Sequence, residues 1–222
     1  MNILKKIKSK FKKYKLNGKN NKIYILKNGI KKECKYIIPG LKIFINGDDN
    51  EIFIETPIKF QSCMIVINHS GKKIHIENTP YEINNMYIEM VQPCTDQMIH
   101  LNKNISINGA SFYIYGNNAK LEIGEDCMFS TDVVIMTGDG HKIADKNTGE
   151  VINNEQNEVQ LGKHVWIGRR ATICKGVVIP SNSVVGTNAL VTKKFDKENI
   201  IIAGTPAKII KQDIIWDREE NF

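Results

Sequence analysis

Aliphatic residues in the C-terminal half of the chain recur with a period of six. From Leu161 to Val191 every sixth residue is Leu, Ile or Val, and a small or β-branched residue stands two positions before each. An α-helix would need a period near 3.6 and a plain strand a period of two, so neither explains the spacing. A period of six is typical of a β-solenoid, in which each side of a coil is a short strand and a turn.

The same period appears further upstream and is then interrupted. Ile123, Phe129 and Ile135 are six apart, but Leu161 follows Ile135 by 26 residues, which is not a multiple of six. We therefore predict regular coils over 119–204 and a loop that leaves them at about 136–158. This loop contains the polar stretch TGDGHKIADKNTGE, which carries His141.

The N-terminal half carries a looser repeat. Four segments share a polar turn rich in Gly, Asn or Asp, followed by a short alternating strand: NGKNNKIYI, NGDDNEIFI, HSGKKIHI and YGNNAKLEI. Because their spacing is irregular, we expect coils with side loops that extend the same solenoid over 16–118. A separate β-sandwich would require a domain boundary, and the sequence shows none.

Short helices are predicted at both ends. Within 205–222, Thr205 and Pro206 fit a capping residue followed by proline at the first helical position, and four isoleucines suggest an amphipathic helix that caps the solenoid: Ile209, Ile210, Ile214 and Ile215. Residues 1–15 contain seven lysines, no acidic residue and apolar residues at helical spacing. Such a basic segment is typical of a helix on an anionic membrane surface, or of a solvated extension that packs on the domain.

Composition narrows the class of protein. With 222 residues, 41% hydrophobic and 25% charged, the chain resembles an ordinary soluble protein. It has no apolar run of the roughly 18 residues that a membrane span needs, and MNILKKIKSKFKKYK lacks the apolar core of a secretory signal, so we expect a cytoplasmic protein. The net charge of +7 comes from the N-terminal segment, and no aromatic-studded basic face follows it, which argues against a nucleic-acid partner. Five scattered cysteines without a CxxC pair argue against disulfides and a cysteine zinc site.

The stretch HVWIGRRATICKGVVIPSNSVVGTNALVTK, followed by IIIAGTPAKIIK, resembles the hexapeptide-repeat acyltransferases, in particular the branch that O-acetylates sugars and surface polysaccharides. The resemblance covers 119–212. It implies an all-β fold, the left-handed parallel β-helix, with acetyl-CoA as donor and no metal. It also implies a homotrimer with active sites between neighbouring subunits and a sugar or glycan as acceptor.

The resemblance also implies roles for individual residues. His141 in GDGH matches the family's histidine, and a neutral imidazole could take the proton of an acceptor hydroxyl as it attacks the thioester in a ternary complex, worth about 10² to 10⁴ in rate. Asp139 or Asp132 would orient its second ring nitrogen. Trp166 in VWIG matches a tryptophan beside that histidine, although a large aromatic residue could instead fill a subunit interface. His164 is interpreted as a surface residue near the site.

For CoA the family pattern falls on turn residues and on the predicted terminal helix: Gly168, Arg169, Gly186, Thr187, Thr192, Lys193, Lys208 and Lys211. Small residues would let pantetheine lie along the backbone, and the last two lysines would share a helix face towards the phosphates. Any such coil needs turn glycines, however, and surface lysines are usually only solvated. Arg169 departs from the pattern, because small residues are usual there.

Several alternatives stay open from the sequence. The acceptor could be an amine, as in an amino-sugar N-acetyltransferase, or a serine, as in serine acetyltransferases, although those carry a helical N-terminal domain. A zinc carbonic anhydrase of this fold needs three converging histidines, and the five here form no close trio in the six-residue register: His69, His75, His100, His141 and His164. A non-catalytic trimeric scaffold would not require a register break that holds a histidine.

Overall fold

A computed structural model describes residues 14, 16–34, 36–153 and 157–219. All regular structure in this part of the chain is strand. The first twelve strands are β1 (Leu16–Asn17), β2 (Lys22–Lys27), β3 (Ile30–Glu33), β4 (Leu41–Asn46), β5 (Glu51–Glu55), β6 (Lys59–Gln61), β7 (Cys63–Asn68), β8 (Lys73–Ile76), β9 (Glu82–Asn84), β10 (Met86–Met90), β11 (Met98–Leu101) and β12 (Ser106–Ile107). The others are β13 (Ala110–Tyr113), β14 (Lys120–Ile123), β15 (Met128–Phe129), β16 (Val133–Met136), β17 (Glu158–Leu161), β18 (Trp166–Ile167), β19 (Thr172–Ile173), β20 (Val178–Ile179), β21 (Val184–Val185), β22 (Leu190–Val191), β23 (Ile201–Gly204) and β24 (Ala207–Lys211).

The strands form three sheets that wind around a common lumen. Sheet A has the order β1-β4-β7-β10-β13-β16-β19-β22, sheet B β20-β17-β14-β11-β8-β5-β2-β3, and sheet C β24-β23-β21-β18-β15-β12-β9-β6. From β4 to β21 each coil contributes one strand to each sheet, and neighbouring strands are parallel except in the hairpins β2-β3 and β23-β24. This confirms the predicted left-handed parallel β-helix, a three-sided prism whose edges we name A/B, B/C and C/A.

Alternate residues on each side of a coil point apolar side chains into the lumen. On sheet A, Ile88, Phe112, Ile135 and Ile173 pair in register from coil to coil, and all are fully buried. Phe112 also meets Phe129 of sheet C edge to face, with ring centroids 5.9 Å apart. The lumen is therefore a continuous packed column.

The polar turns form the edges of the prism. At most corners one residue has a left-handed backbone, and Asn or Asp usually holds this position, as at Asn118 (φ 54°), Asp126 (φ 62°) and Asn188 (φ 57°). These side chains tolerate that conformation better than most. Gly124 is required for a different reason, since an added Cβ would lie 2.3 Å from the carbonyl oxygen of Gly162 on the next coil.

The irregular N-terminal coils belong to the same solenoid. The four polar-turn repeats of the sequence all cross the A/B edge into sheet B, where they end in β2, β5, β8 and β14. At this edge Asn50 is fully buried and donates to the side chain of Asn21 and the carbonyl of His69. Buried amides thus satisfy the backbone where the spacing of the coils varies.

The predicted C-terminal helix is wrong. Residues Ala207–Lys211 form β24, which pairs antiparallel with β23. The isoleucine pattern suits either element, but β23 offers an unpaired sheet edge, and filling it satisfies backbone groups that a helix would leave exposed. Lys208 and Lys211 therefore share no helix face. The register of the β23-β24 pair is irregular, so that Lys208 lies opposite Ala203 and Lys211 lies opposite Ile201. Ala203 and Ile201 are two positions apart on β23 and therefore face the same side of sheet C.

After β24 the chain runs back along the B/C edge. Trp216 stacks on His164 with ring centroids 3.9 Å apart and donates to its carbonyl oxygen at 3.1 Å. Arg218 then binds the carboxylate of Asp126 at 2.7 Å and the hydroxyl of Ser106 at 2.7 Å. The tail thus connects three successive coils and covers one of the three edges.

The predicted N-terminal helix lies almost wholly outside the described residues. Only Tyr14 of that pattern is described, and its hydroxyl donates to the carbonyl of Leu41 and accepts from the amide of Ile38. Within the described ranges, no helix has the length and hydrophobicity required to cross a membrane.

Truncating a lumen residue should destabilise the protein far more than the same change outside. We expect Phe129→Ala to cost about 3–5 kcal/mol, because it removes a buried ring and leaves a cavity. Phe44→Ala is the matched control, since Phe44 is 52% exposed, and it should cost less than about 1 kcal/mol. Urea unfolding followed by circular dichroism measures both, and equal losses would contradict the packed lumen.

Candidate active site

The register break is an excursion loop on the A/B edge. It leaves sheet A after β16 at Met136 and returns to sheet B at Glu158. Gly138 packs so closely on Tyr115 that an added Cβ would lie 2.9 Å from its carbonyl oxygen. Gly140 has a φ of 76°, and its carbonyl accepts a hydrogen bond from the side chain of Gln92 at 2.7 Å. These contacts hold the chain immediately before His141.

A lysine from the next coil anchors the loop. The Lys175 ammonium donates to the Asp139 carboxylate at 2.6 Å and to the carbonyl of Asn153 at 2.8 Å. The Asn153 amide donates in turn to Asp139 and to the carbonyl of His141, both at 2.8 Å. The two ends of the loop are thereby joined beneath His141.

The anchor also sets the charge of Asp139. The Lys175 ammonium is the largest influence and lowers the pKa of the Asp139 carboxyl, with help from Asn153 and against the opposite effect of burial. A lowered folded pKa means that the contact stabilises the protein above the ordinary aspartate value of about 3.9 and is lost as the pH falls through the lowered pKa. The anchor is therefore intact at neutral pH.

His141 stands on this anchored loop at an open pocket. Its residue is exposed, and within the described ranges its imidazole makes no hydrogen bond. The pocket has a volume of about 320 Å³ and is lined by Gln92, Tyr115, Asn117, Asp139, His141 and Asn153 among others. A free imidazole beside a polar cavity can accept a proton from a bound group.

A tyrosine patch on sheet A continues the pocket wall. Tyr115 lines the pocket, and its hydroxyl donates to the Glu89 carboxylate at 3.0 Å. Tyr87 donates to the other oxygen of Glu89 at 2.6 Å, and Tyr113 lies 6.0 Å from the rings of both other tyrosines. Burial first, and the Glu89 carboxylate second, raise the pKa of Tyr115 to about 12, so its hydroxyl stays protonated.

Neither candidate carboxylate contacts the His141 ring within the described residues. Asp139 is bonded to Lys175 and Asn153, as above. Asp132 lies at the C/A edge, where Arg169 and Arg170 approach it at 3.7 Å each. The orienting role of Asp139 or Asp132 stays a prediction.

Trp166 lies on the outer face of sheet C and is 39% exposed. Trp216 of the C-terminal tail approaches its ring to 6.0 Å. His164 lies in the turn before the strand of Trp166, with φ at 53°. Its ring binds Asp126 at 2.6 Å and the carbonyl of Trp216 at 3.1 Å, so His164 positions the tail beside Trp166.

The residues predicted for CoA fall into separate groups. Gly168, Arg169, Gly186 and Thr187 stack at the C/A edge, and Lys208 and Lys211 lie on β24 of sheet C. Thr192 and Lys193 follow β22 at the A/B edge, above the excursion loop. Glycine is also required at position 168 by packing between coils, because a Cβ there would lie 2.6 Å from the carbonyl oxygen of Val185.

The two halves of the predicted site therefore face different directions in one chain. His141 is at the A/B edge, whereas Trp166 is on sheet C, which is the side of the prism opposite that edge. The rigid lumen between them prevents the two side chains from meeting within one subunit. A second copy of the chain could bring its sheet C to this A/B edge.

Comparison with known proteins gives relatives of one kind. A polysialic acid O-acetyltransferase of Neisseria meningitidis is 31% identical over 178 residues, which is 80% of each chain. A polysialic acid O-acetyltransferase of Escherichia coli O1:K1 is 35% identical over 112 residues, and this match spans only 36% of that relative. The galactoside O-acetyltransferase of Escherichia coli K12 is 25% identical over 171 residues, covering 68% of this chain and 83% of the relative. No family model matches the chain.

Solved structures agree with these relatives. The polysialic acid O-acetyltransferase OatWY superposes with a TM-score of 0.78 at 31% identity, covering 94% of this chain and 92% of the other. The polysialic-acid-specific acetyltransferase NeuO has the same TM-score at 24% identity and covers 95% and 91%, which shows the shared fold.

The fold and these relatives together define the class: the chain is an acyltransferase of the left-handed β-helix type. Because a relative 31% identical covers 80% of both chains, this chain belongs to the hexapeptide-repeat O-acetyltransferase family. The non-catalytic scaffold therefore has no support from these comparisons.

Sequence reasoning missed the residues that support the site. Lys175, Asn153 and Gln92 hold the loop, and Tyr115 with Glu89 forms the wall beside His141. Tyr115 comes from the coil directly before the loop and Gln92 from the coil before that one, and no periodicity marks them. The signal that could have identified Lys175 is its place directly after β19, one coil above the register break.

Removing the anchor should loosen the loop without unfolding the solenoid. We expect Lys175→Met to raise hydrogen exchange several-fold at the amides of Ile143 and Ile152. The Ile143 amide donates to the side chain of Asn153, and the Ile152 amide donates to the carbonyl of Ile143. Lys194→Met, an exposed lysine, is the control and should leave the loop unchanged. In the wild type, protection corrected for intrinsic rates should persist from pH 7 to pH 5, because the Asp139 pKa is lowered. Unchanged exchange in Lys175→Met would contradict the anchor.

Proposed function

We propose that this protein transfers an acetyl group from acetyl-CoA to a hydroxyl of a glycan, at a site shared between two subunits of a homotrimer. The observation that carries the proposal is His141, which stands free on an anchored loop beside a polar pocket. Relatives named polysialic acid O-acetyltransferase support a polysaccharide as acceptor, and the galactoside O-acetyltransferase supports a sugar hydroxyl.

His141 serves as the general base in this proposal. Its neutral imidazole takes the proton of the acceptor hydroxyl while the oxygen forms a bond to the thioester carbonyl carbon. The tetrahedral intermediate then collapses, the carbon–sulfur bond breaks, and the imidazolium returns the proton to the CoA sulfur. The reaction passes through a ternary complex, and no acetyl group is attached to the protein.

The predicted site residues of one chain lie on opposite sides of the prism, which supports an active site formed by two subunits. One subunit supplies the A/B edge with His141, Thr192 and Lys193. Its neighbour supplies sheet C with Trp166 and the C/A edge with Gly168 and Gly186. CoA then lies in the cleft between them, and the phosphates meet the lysines of β24. Trimers of threefold symmetry bring such unlike surfaces together in a closed ring.

The tyrosine patch gives the acceptor a binding surface. Tyr113 and Tyr115 present aromatic rings on sheet A next to the pocket, and the Glu89 carboxylate accepts from the hydroxyls of Tyr87 and Tyr115. Aromatic rings with a polar end are suited to sugars, which combine apolar faces with hydroxyl rims. A chain of several sugars could extend from the patch to His141.

The cytoplasmic location, and membrane contact through residues 1–15, are part of the same proposal and rest on the sequence alone.

Loss of the base should remove acetyl transfer while leaving the fold intact. We expect His141→Ala and His141→Gln to lower kcat by about 10² to 10⁴, with Tm unchanged. The assay follows CoA release from acetyl-CoA with a panel of neutral and anionic glycans, amino sugars and serine. His69→Gln, at an exposed turn, is the matched control. Full activity in His141→Ala would overturn the general-base role, and turnover only with amines would favour the N-acetyltransferase alternative.

Mixing two inactive variants tests the shared site. If His141 and Trp166 of different subunits form one site, coexpressed His141→Ala and Trp166→Ala chains should recover activity. Random mixing around a threefold ring restores about a quarter of the sites. Each variant expressed alone should stay inactive. Absence of recovery in verified mixed trimers would contradict a site between subunits.

The acceptor surface is tested by separating the two Michaelis constants. Tyr115→Phe and Glu89→Gln should raise KM for the glycan about tenfold and leave KM for acetyl-CoA unchanged, since these residues lie on the wall of the pocket. Tyr24→Phe is the control, because Tyr24 stacks on Phe53 on sheet B, whereas the tyrosine patch lies on sheet A. An increase confined to the acetyl-CoA constant would place the donor, and not the acceptor, on this surface.

A further inference from the structure

A cluster of histidines and glutamates lies on the outer face of sheet B, apart from the proposed active site. His75 and His100 occupy the same register position on β8 and β11, and their rings stack in parallel with centroids 4.8 Å apart. His75 Nε2 faces Glu55 Oε1 at 3.1 Å, and His100 Nε2 faces Glu77 Oε1 at 2.8 Å. The other ring nitrogen of His100 is 3.2 Å from Glu122 Oε1.

In the described part of the chain, no lysine or arginine forms an ion pair with the three carboxylates of this cluster. Three carboxylates from three coils converge here, and in the described part of the chain their only ion-pair partners on the cluster are the two histidines. Lys73 and Lys120, which begin β8 and β14, form no ion pair with them. The carboxylate oxygens, together with the unprotonated ring nitrogen that each neutral imidazole offers, form a donor set suited to a divalent cation.

We propose that His75, His100 and Glu77 bind a divalent transition-metal ion, with Zn²⁺ as the expected occupant. One ligand atom of each residue can be chosen so that all lie within 4.8 Å of one another. Two imidazoles and a carboxylate are a common Zn²⁺ donor set, with bonds of about 2.0–2.2 Å. A hard cation such as Mg²⁺ would instead prefer oxygen ligands in octahedral geometry.

Binding requires the side chains to turn, because the parallel stacked rings of His75 and His100 do not point their nitrogens at one common position. Tetrahedral ligand atoms at these bond lengths lie about 3.4 Å apart, so the widest separation must close by roughly 1.4 Å. The side chains of His75, His100 and Glu77 are 22–34% exposed, and each can turn about its own strand. Glu55 and Glu122 remain beside the two imidazoles and can hold their second nitrogens or complete the coordination.

The ion would act as a clamp between coils. His75 and Glu77 belong to one coil and His100 to the next, so the three ligands join two adjacent coils of the irregular N-terminal half. The site is on sheet B, whereas the proposed active site uses the A/B edge, sheet C and the C/A edge. Metal binding therefore stabilises the solenoid and takes no part in acetyl transfer.

The test uses the full-length, tag-free protein after treatment with a chelator. Titration calorimetry with ZnCl₂ should give one ion per chain, and Zn²⁺ should raise Tm by several degrees, whereas MgCl₂ should not. Cobalt(II) should give visible absorption bands typical of tetrahedral nitrogen and oxygen ligation. If the wild type binds no Zn²⁺ or Co²⁺, the proposal is overturned.

Variants locate the site. His100→Gln and Glu77→Gln should each weaken Zn²⁺ binding at least tenfold, while His69→Gln should bind as the wild type does. His141→Ala should also keep full binding, which separates this result from the outcome for the proposed acetyl transfer. Circular dichroism of the metal-free variants verifies that they are folded. Zn²⁺ binding that survives His100→Gln and Glu77→Gln, or that disappears in His141→Ala, would assign the ion elsewhere.

Discussion

The structure depends on parallel backbone pairing between coils of equal cross-section. Every coil must return to the same lumen after three sides, because the hydrogen bonds of three sheets hold it to the coil below. This constraint determines which residues can point inward, and it explains the unbroken column of apolar side chains through Phe112 and Phe129. It also makes the solenoid intolerant of extra residues, except where they leave the coil altogether.

The candidate active site uses that exception. The chain leaves the prism after Met136 and re-enters it at Glu158, and the loss of regular pairing is compensated by Lys175, Asn153 and Gln92. The described part of the loop is therefore held by the Lys175–Asp139 ion pair and by amide contacts, while the coils of the solenoid are held by burial of their lumen side chains. His141 combines a held backbone with a ring that makes no hydrogen bond to the described residues, which suits the proton transfer that we propose for it.

The sequence predicted the fold well where spacing carries the information. The six-residue period defined the regular coils, and its failure between Ile135 and Leu161 located the loop with His141. It failed at the C-terminus, because Ile209 and Ile210 fit a helix or a strand equally well, and the open edge of β23 made the choice. Contacts across coils were also beyond reach, since His75 and His100 stack although 25 residues of irregular spacing separate them along the chain. In a solenoid, residues that are neighbours in space are a full coil apart in sequence. Where the number of residues in a coil varies, the sequence alone does not show which residues are neighbours.

The two antiparallel hairpins have a consequence for how molecules can associate. A stack of parallel strands ends in exposed backbone groups, and a second molecule could continue it as a fibre. Here β3 closes sheet B at one end and β24 closes sheet C at the other, each with a strand that runs against the direction of the stack. An incoming parallel coil would meet strands of the wrong polarity on these two sides. Lengthwise growth is thus discouraged, and the sides of the prism stay available for contacts with other chains.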